Sequence, residues 1–403
     1  MAGYIIYGHG WRMTKGPSMP TTISFLNFFS QTHPDTLRHI QTITQYLMHH
    51  CHAKCYIVGG AVRDRLLGRD CQDYDIECFN ISIETFEKAM MHLGAEGVGK
   101  SFFVYKFHNL DISLPRKETK SGKGHKGFHV MLAGNEKEAS RRRDFTVNAL
   151  MYDIEREQIL DFWNGLGDLQ QKRLKAVDEK SFAEDSLRVF RAMQFAARLG
   201  FKIEKKSCKL CQNILLEDLP KERIFLEFEK MFKGAYLHYG LYYLFALGIA
   251  KKLFNEEIGR KTFIAWSKEL QSGQKYFQDT LRPYYFLFIA RKYLKTDIEQ
   301  ILKILGAPKY YHRQISQMPL LPSRVDARFI LHTALKEGIV KYPGNYDPRV
   351  ISLAKRLKVW KKPFRPKITA SILLEEGFSG KELGKELAKR IEKEIAFYAK
   401  KGV

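Results

Sequence analysis

Cys55-Tyr56-Ile57-Val58-Gly59-Gly60-Ala61-Val62-Arg63-Asp64 is followed, thirteen residues after its second glycine, by Asp73-Tyr74-Asp75. Four apolar residues of strand character stop at the two glycines, and helical spacing resumes at Ala61. Glycine at that junction lets backbone approach a neighbour closely, and the first amides of a helix favour an anion. Arg63, one turn along, adds a full positive charge. Asp73-Tyr74-Asp75 opens a second strand over residues 74–79, in which side chains two apart share a face, so both carboxylates can reach one set of cations. Oxygen ligands together with substrate phosphates are the usual surroundings of Mg²⁺. Alone, each motif has a plainer reading, a strand-to-helix connection or a surface acid pair. Together they describe a triphosphate held beside metal ions.

Outward from this pair, residues 32–52 carry helical apolar spacing through Leu37, Ile40, Thr44 and Leu47, and strand-like segments recur at 102–107, 110–114 and 159–162. Lys117-Glu118-Thr119-Lys120-Ser121-Gly122-Lys123-Gly124-His125-Lys126-Gly127 is rich in Lys and Gly and reads as a loop. Beyond about Phe182 the strand signals fade, and apolar residues recur at three and four positions through 187–199, 224–232, 241–253, 286–293 and 298–305. The expected class is therefore α+β: a flexible lead over 1–31, a mixed-sheet head over 32–180, a helical neck over 181–240, and a helical body and tail over 241–403. Within the lead, Met13 and Met19 are alternative starts.

The chain has 403 residues, 45% hydrophobic and 13% aromatic, enough for roughly two to four compact units. Its net charge of +23 attracts polyanions, with nucleic acid as the leading partner and a basic proteome or an acidic membrane surface as the alternatives. No stretch approaches the roughly 18 to 20 apolar residues of a membrane span and no signal peptide is evident, which points to the cytoplasm. Six cysteines in such a length make no disulfide framework and suit a reduced compartment. His49-His50-Cys51-His52 with Cys55, and the pair Cys208 and Cys211, offer metal-type ligands, but the first runs from a helical pattern into a strand and the second lacks a partner pair. Lys355-Arg356-Leu357-Lys358-Val359-Trp360-Lys361-Lys362-Pro363-Phe364-Arg365-Pro366-Lys367 interleaves cations with aromatic rings, which suits RNA, a solvated linker being the alternative.

Three further constellations carry chemistry. Asp111, acidic among apolar strand neighbours, needs a partner or a task, and reads as a third carboxylate that takes the proton of an attacking hydroxyl, or as a hydrogen-bonded structural residue. Arg141-Arg142-Arg143-Asp144-Phe145-Thr146-Val147-Asn148 suits phosphate and ribose contact, since guanidinium binds phosphate bidentately while Asp and Asn bind sugar hydroxyls, an exposed helix start capped by acid-base pairs being the alternative. In Glu184-Asp185-Ser186-Leu187-Arg188-Val189-Phe190-Arg191, helical spacing places Asp185 and Arg188 side by side, as a base reader or a surface ion pair.

Gly59-Gly60-Ala61-Val62-Arg63-Asp64, Asp73-Tyr74-Asp75, Arg142-Arg143-Asp144-Phe145-Thr146-Val147-Asn148-Ala149, the segment Asp161…Gly165…Asp168-Leu169, and Glu184-Asp185-Ser186-Leu187-Arg188, in this order, resemble the bacterial-type tRNA nucleotidyltransferase and poly(A) polymerase family. This is the class II branch of the polymerase-β-like nucleotidyltransferases, and the resemblance covers about residues 54–235. It implies a palm-like sheet head, then an all-helical neck, body and tail that grip tRNA. Asp73 and Asp75 are the implied Mg²⁺ ligands, and Gly59, Gly60 and Arg63 the implied triphosphate turn. Arg143, Asp144 and Asn148 are implied to meet phosphate and ribose, and Asp185 and Arg188 the Watson–Crick edge of CTP or ATP, with Arg191 in the nucleotide-binding set. Gln194 stands where relatives often carry arginine, which puts one phosphate contact in question, and no His-Asp phosphohydrolase pair occurs in the C-terminal half. In members that add the terminal A, a loop in the region of residues 117–127 is implicated in the switch from CTP to ATP.

The function so implied is template-independent addition of CCA to the 3′ end of tRNA, with release of pyrophosphate. The alternatives are a poly(A) polymerase, a CC-only or A-only enzyme, and a non-catalytic RNA-binding protein on the same scaffold. A short terminal helix in place of a long basic tail favours tRNA. The expected partners are tRNA, CTP and ATP, with no membrane and no protein partner.

Overall fold

The computed structural model describes residues 21–71, 73–98, 103–120, 128–216, 219–274, 276 and 281–401. The head is built on strands β1 (Lys54–Val58), β2 (Tyr74–Phe79), β3 (Glu96–Gly97), β4 (Val104–Phe107), β5 (Leu110–Ser113), β6 (Arg116–Lys120), β7 (Phe128–Leu132), β8 (Met151–Asp153) and β9 (Gln158–Leu160). Seven of these form one sheet in the order β3-β4-β5-β2-β1-β8-β9, and β6 pairs with β7 in a separate antiparallel ribbon. β2 and β5 run parallel while β1 is antiparallel to both of its neighbours, so the sheet is mixed, as the sequence pattern implied. Cys55, Tyr56, Ile57 and Val58 are all buried, because β1 lies inside the sheet and a strand covered on both faces has no polar side to alternate with.

Helix α1 (Phe25–Phe28) precedes α2 (Pro34–Cys51), which starts with proline in its first turn and buries Ile40, Ile43, Thr44 and Leu47, one stripe at helical spacing. The flexible lead expected over 1–31 does not extend through its last residues: Ile23, Phe28 and Phe29 are buried, and the Phe28 ring stacks 3.9 Å from Tyr152 of β8. Residues 1–20 lie outside the described residues. The loop expected over 117–127 is likewise shorter, since 117–120 belong to β6; residues 121–127 are not among those described.

After β1 come α3 (Gly60–Leu66), α4 (Ile83–His92) and α5 (Glu136–Arg141), then a 3-10 turn at Thr146–Asn148 and α6 (Gly165–Gln170). Asp161 caps α6 by accepting from the amides of Gly165 at 2.7 Å and Leu166 at 2.9 Å. A Cβ on Gly165 would lie 2.4 Å from the Thr146 carbonyl oxygen, and the fully buried Asp168 accepts from Thr146 Oγ1 at 2.6 Å. The Asp161…Gly165…Asp168 segment thus fixes the 3-10 turn.

Strands β10 (Arg173–Leu174) and β11 (Lys202–Ile203) pair in parallel, a small exception to the all-helical reading beyond Phe182. Helices α7 (Glu179–Glu184), α8 (Leu187–Leu199) and α9 (Lys205–Asn213) accompany them. Two compact units result, one of residues up to Ala192 with Gly200–Pro220, the other of Met193–Leu199 with Lys221–Val403. The neck expected over 181–240 is therefore divided, because the β10–β11 pairing and a hydrogen bond from the Ala176 amide to Ser207 Oγ tie α9 to the head.

The second unit is helical: α10 (Lys221–Phe232), α11 (Leu237–Ala246), α12 (Ile249–Phe254), α13 (Arg260–Gln274), α14 (Arg282–Tyr293), α15 (Ile298–Leu305), α16 (Lys309–Gln317), α17 (Ala327–Thr333), α18 (Pro348–Arg356), α19 (Ala370–Glu375) and α20 (Gly380–Lys401). The single helix expected over 241–253 is two, broken where Gly248 takes φ +74°. Its core includes Phe228 and Phe232 of α10 and Trp266 of α13, whose ring stacks on Tyr293 at 5.6 Å. The basic stretch 355–367 is anchored, with Leu357 and Val359 buried and the Phe364 amide donating to the Ala334 carbonyl at 2.8 Å, while Lys361, Lys362 and Arg365 face solvent. Among the described residues no helix is long and apolar enough to cross a membrane.

The packed end of the lead gives the first prediction. Phe28→Ala should destabilise the head by about 3–5 kcal/mol, the usual cost of truncating a fully buried aromatic ring. Chemical denaturation measures it, and a cost below about 0.5 kcal/mol would show that the segment is only laid on the surface.

Candidate active site

β1 delivers the chain to Gly59, whose φ of +73° suits glycine alone, and α3 starts at the next residue. Val58 lies opposite Asp75 in the antiparallel β1–β2 register, and Asp75 lies opposite Asp111 in the parallel β2–β5 register. Strand alternation places Glu77 on the face of Asp75, with Asp73 heading the same series one residue before β2. The opposite face carries Tyr74, Ile76 and Cys78, all buried.

Asp73, Asp75 and Asp111 keep access to solvent. The Asp75 carboxyl is nevertheless held above its usual range, first by the protein mass packed around it and then by the negative charges of Asp111 and Glu77, with Arg143 acting in the opposite sense. Lys106 on β4 places its Nζ 3.9 Å from Asp111 Oδ1. Among the described residues no group of three or more His, Cys, Asp or Glu is arranged to hold a metal ion, which applies also to His49, His50 and His52 with Cys51 and Cys55, and to Cys208 with Cys211.

Glu77, absent from the sequence-derived set, sits at the centre of the cations. It is 1% exposed, and its Oε1 accepts from Arg142 Nη2 and from Arg143 Nη2, both at 2.8 Å. Burial alone would raise its proton affinity; the two guanidiniums more than offset that and lower it. A Cβ placed on Gly59 would lie 2.5 Å from Arg143 Nη1 and 3.5 Å from Asp75 Oδ2. The Arg143 guanidinium therefore covers the glycine turn beside Asp75, in space that any other residue at 59 would fill.

The remaining motif residues meet in a second network beneath. Arg63, expected to present its charge to a phosphate, is instead 3% exposed and donates to Asp64 at 2.9 and 2.7 Å and to Asn148 Oδ1. Asn148 Nδ2 donates to Asp144 Oδ1 at 2.8 Å, and Arg191 Nε donates to Asp144 Oδ2 at 2.7 Å. Burial acts to raise the Asp144 proton affinity, but Arg191 and Asn148 prevail and depress it.

Asp185 and Arg188 do not share a helical face, because Asp185 precedes α8 in an extended conformation. Its Oδ1 accepts from the Leu187 amide at 3.0 Å, while Arg188 donates to the Ser181 carbonyl at 2.7 Å and to the Arg142 carbonyl. The two side chains lie at the start of α8 without an ion pair between them among the described contacts. Gln194 is buried on the same helix and accepts from Arg198 Nη1 at 3.5 Å.

Asp144 yields a pH prediction. Its folded-state pKa is depressed, so its contribution to stability is present above the ordinary aspartate range, about 4, and is lost as pH falls through the lower folded value. Asp144→Asn should cost about 2–3 kcal/mol at pH 7, the usual worth of hydrogen bonds to a charged partner. The gap to wild type, read by urea unfolding, should narrow below about pH 4; a gap independent of pH would remove the charge from the explanation.

Residues 55–175 match the family described as Poly A polymerase head domain, and residues 200–258 the one described as Probable RNA and SrmB-binding site of polymerase A. The CCA-adding enzyme of Lactococcus lactis subsp. lactis is 38% identical over 212 residues, 50% of this chain and 52% of that enzyme. The CCA-adding enzyme of subsp. cremoris is 38% identical over 200 residues, 47% and 48% of the two chains. The chain thus aligns with about half the length of these relatives. The Bacillus stearothermophilus CCA-adding enzyme in complex with CTP superposes with a TM-score of 0.65 at 21% identity, covering 91% of this chain and 94% of that one. The Thermotoga maritima CCA-adding enzyme complexed with tRNA gives 0.60 at 20% identity, covering 94% and 95%. The glycine turn, Asp73 and Asp75 all lie within the segment that matches the Poly A polymerase head domain, in a chain whose fold is similar to that of the CCA-adding enzymes.

Proposed function

We propose that this chain is a template-independent RNA nucleotidyltransferase that adds CCA to the 3′ end of tRNA from CTP and ATP, releasing pyrophosphate. One observation carries the reading: Asp75 and Asp111 stand in register on adjacent strands, beside a glycine turn covered by Arg143. The 38% identity to the Lactococcus lactis CCA-adding enzymes supports the choice of substrate, and the net charge of +23 supports an RNA partner. The match to a Poly A polymerase head domain keeps adenosine-only addition as the second reading.

The carboxylates fit a divalent cation, because Asp75 and Asp111 stand in register on adjacent strands with access to solvent, and hard carboxylate oxygens are what such an ion takes. Asp73 and Asp75 would hold it, with Mg²⁺ the preferred ion for oxygen ligands and phosphates. Two such ions would supply the chemistry, one lowering the pKa of the RNA 3′-hydroxyl and the other steadying the triphosphate. Asp111 takes the hydroxyl proton at its carboxylate. The Gly59–Gly60 backbone and the Arg143 guanidinium hold the triphosphate, where a planar cation gives phosphate two directed donors. Asp144, Asn148, Arg191 and Arg63 act by holding that arrangement still. Asp185 and Arg188 offer the base an acceptor and a donor, the combination needed to read a Watson–Crick edge. A cytoplasmic setting agrees with six free cysteines.

Asp73→Ala and Asp75→Ala should each reduce nucleotide incorporation on the order of a thousandfold or more while tRNA binding and thermal unfolding stay close to wild type. Supplying tRNA that ends before CCA with labelled CTP alone, ATP alone and both distinguishes the readings. Ordered addition of two C and one A is expected, whereas adenosine ladders on unrelated RNA would replace it with poly(A) synthesis. RNA binding without incorporation would leave only the scaffold.

Base choice is a separate test. Asp185→Ala with Arg188→Ala should broaden incorporation to UTP and GTP more than it weakens triphosphate binding, since a site built on hydrogen bonds rejects wrong partners by leaving polar groups unpaired. A double variant that loses binding yet keeps its C and A preference would reassign both residues to structure.

A further inference from the structure

We infer that Glu77 is the positioning residue of this site: by holding Arg142 and Arg143 on one carboxylate oxygen, it sets both the phosphate-facing cation and the base-reading arginine relative to Asp75. The inference rests on the nucleotidyltransferase reading above and adds to it a buried residue outside the motifs.

The geometry is specific. Glu77 lies two residues from Asp75 on β2, a strand paired on both sides, and is 1% exposed. Arg142 Nη2 and Arg143 Nη2 both donate to its Oε1 at 2.8 Å. Two guanidiniums drawn to one buried carboxylate would repel one another if it were neutral, so the acid is what makes their closeness tolerable. From there the arrangement divides. Arg143 reaches back over Gly59, its Nη1 2.5 Å from where a Cβ would stand. Arg142 offers its main-chain carbonyl to Arg188 Nη2 at the start of α8. One side chain on the metal-facing strand therefore sets the distance to the group that meets the triphosphate and, through Arg142, to the group that meets the base. A nucleoside triphosphate is the ligand class whose two ends such a device would register, phosphate at one end and base at the other.

Glu77→Gln keeps the size and removes the charge. It should raise the KM for CTP and ATP, and the equilibrium Kd of CTP measured without metal by calorimetry, roughly 10- to 100-fold, the usual effect of removing a partner that orients a contacting group. The change in kcat should be smaller, and UMP and GMP incorporation should rise relative to CMP and AMP. Glu77→Asp, which retains the charge, should recover part of the affinity. A folded Gln variant with a lowered melting temperature but unchanged KM, Kd and base preference would overturn the inference, leaving Glu77 a structural acid. If Gln at 77 prevents folding, Arg142→Met carries the test from the other partner: a relaxed base preference supports the coupling to Arg188, and wild-type KM and preference overturn it. A wild-type chain that neither binds CTP nor incorporates it removes the nucleotidyltransferase reading itself, and this inference with it.

Discussion

Strand register forces like charges together in the head. Asp75 stands opposite Asp111, Glu77 follows two residues later on the same strand face, and sheet hydrogen bonds leave none of the backbones free to move apart. Burial is the main reason the Asp75 proton affinity is raised, and the charges of Asp111 and Glu77 add to it against the pull of Arg143. Such an arrangement persists only if the surrounding structure supplies compensating charge. Arg142 and Arg143 supply it, and the position of Arg143, together with the positive φ at 59, is what makes glycine there a requirement.

Beneath that layer, the hydrogen-bonded series Arg63, Asn148, Asp144 and Arg191 joins the first turn of α3, the 3-10 turn and α8. Each member is buried or half-buried, and each bond serves to satisfy another polar group in a low-dielectric setting. In this network Asp144 and Asn148, two residues of the motif that reads as phosphate and ribose contacts, bond to each other and to Arg191 and Arg63. Asp168, held by Thr146 and Arg173, extends this support one element further.

Much of this was legible in the sequence because it obeyed local periodicity. β2 and α8 lie where apolar spacing places them, and the glycine turn is where strand character stops. What escaped has identifiable causes. β8 is only Met151–Asp153, and all three residues are buried, so no alternation marks it. The packed end of the lead was hidden by the Gly- and Pro-rich residues before it, although Ile23, Phe28 and Phe29 are plain core residues. Spacing makes Asp185 and Arg188 helix neighbours and does not reveal that α8 begins between them. Glu77 continued the series Asp73, Asp75 at period two and could have been found there; its task could not, because its partners are 65 and 66 residues away.

The division of labour that follows is between groups spent on the fold and groups left for a ligand. Arg63, Asn148, Asp144 and Arg191 hold one another, while Asp73, Asp75 and Asp111 keep access to solvent. Arg143 belongs to both sets, anchored to Glu77 by one terminal nitrogen and lying with the other over the glycine turn. Transition-state charge is best met by groups that need not reorganise when it develops. A guanidinium pinned at one end by a buried carboxylate on the same strand as the aspartates satisfies that demand, because any shift of β2 would carry the cation and the acids together.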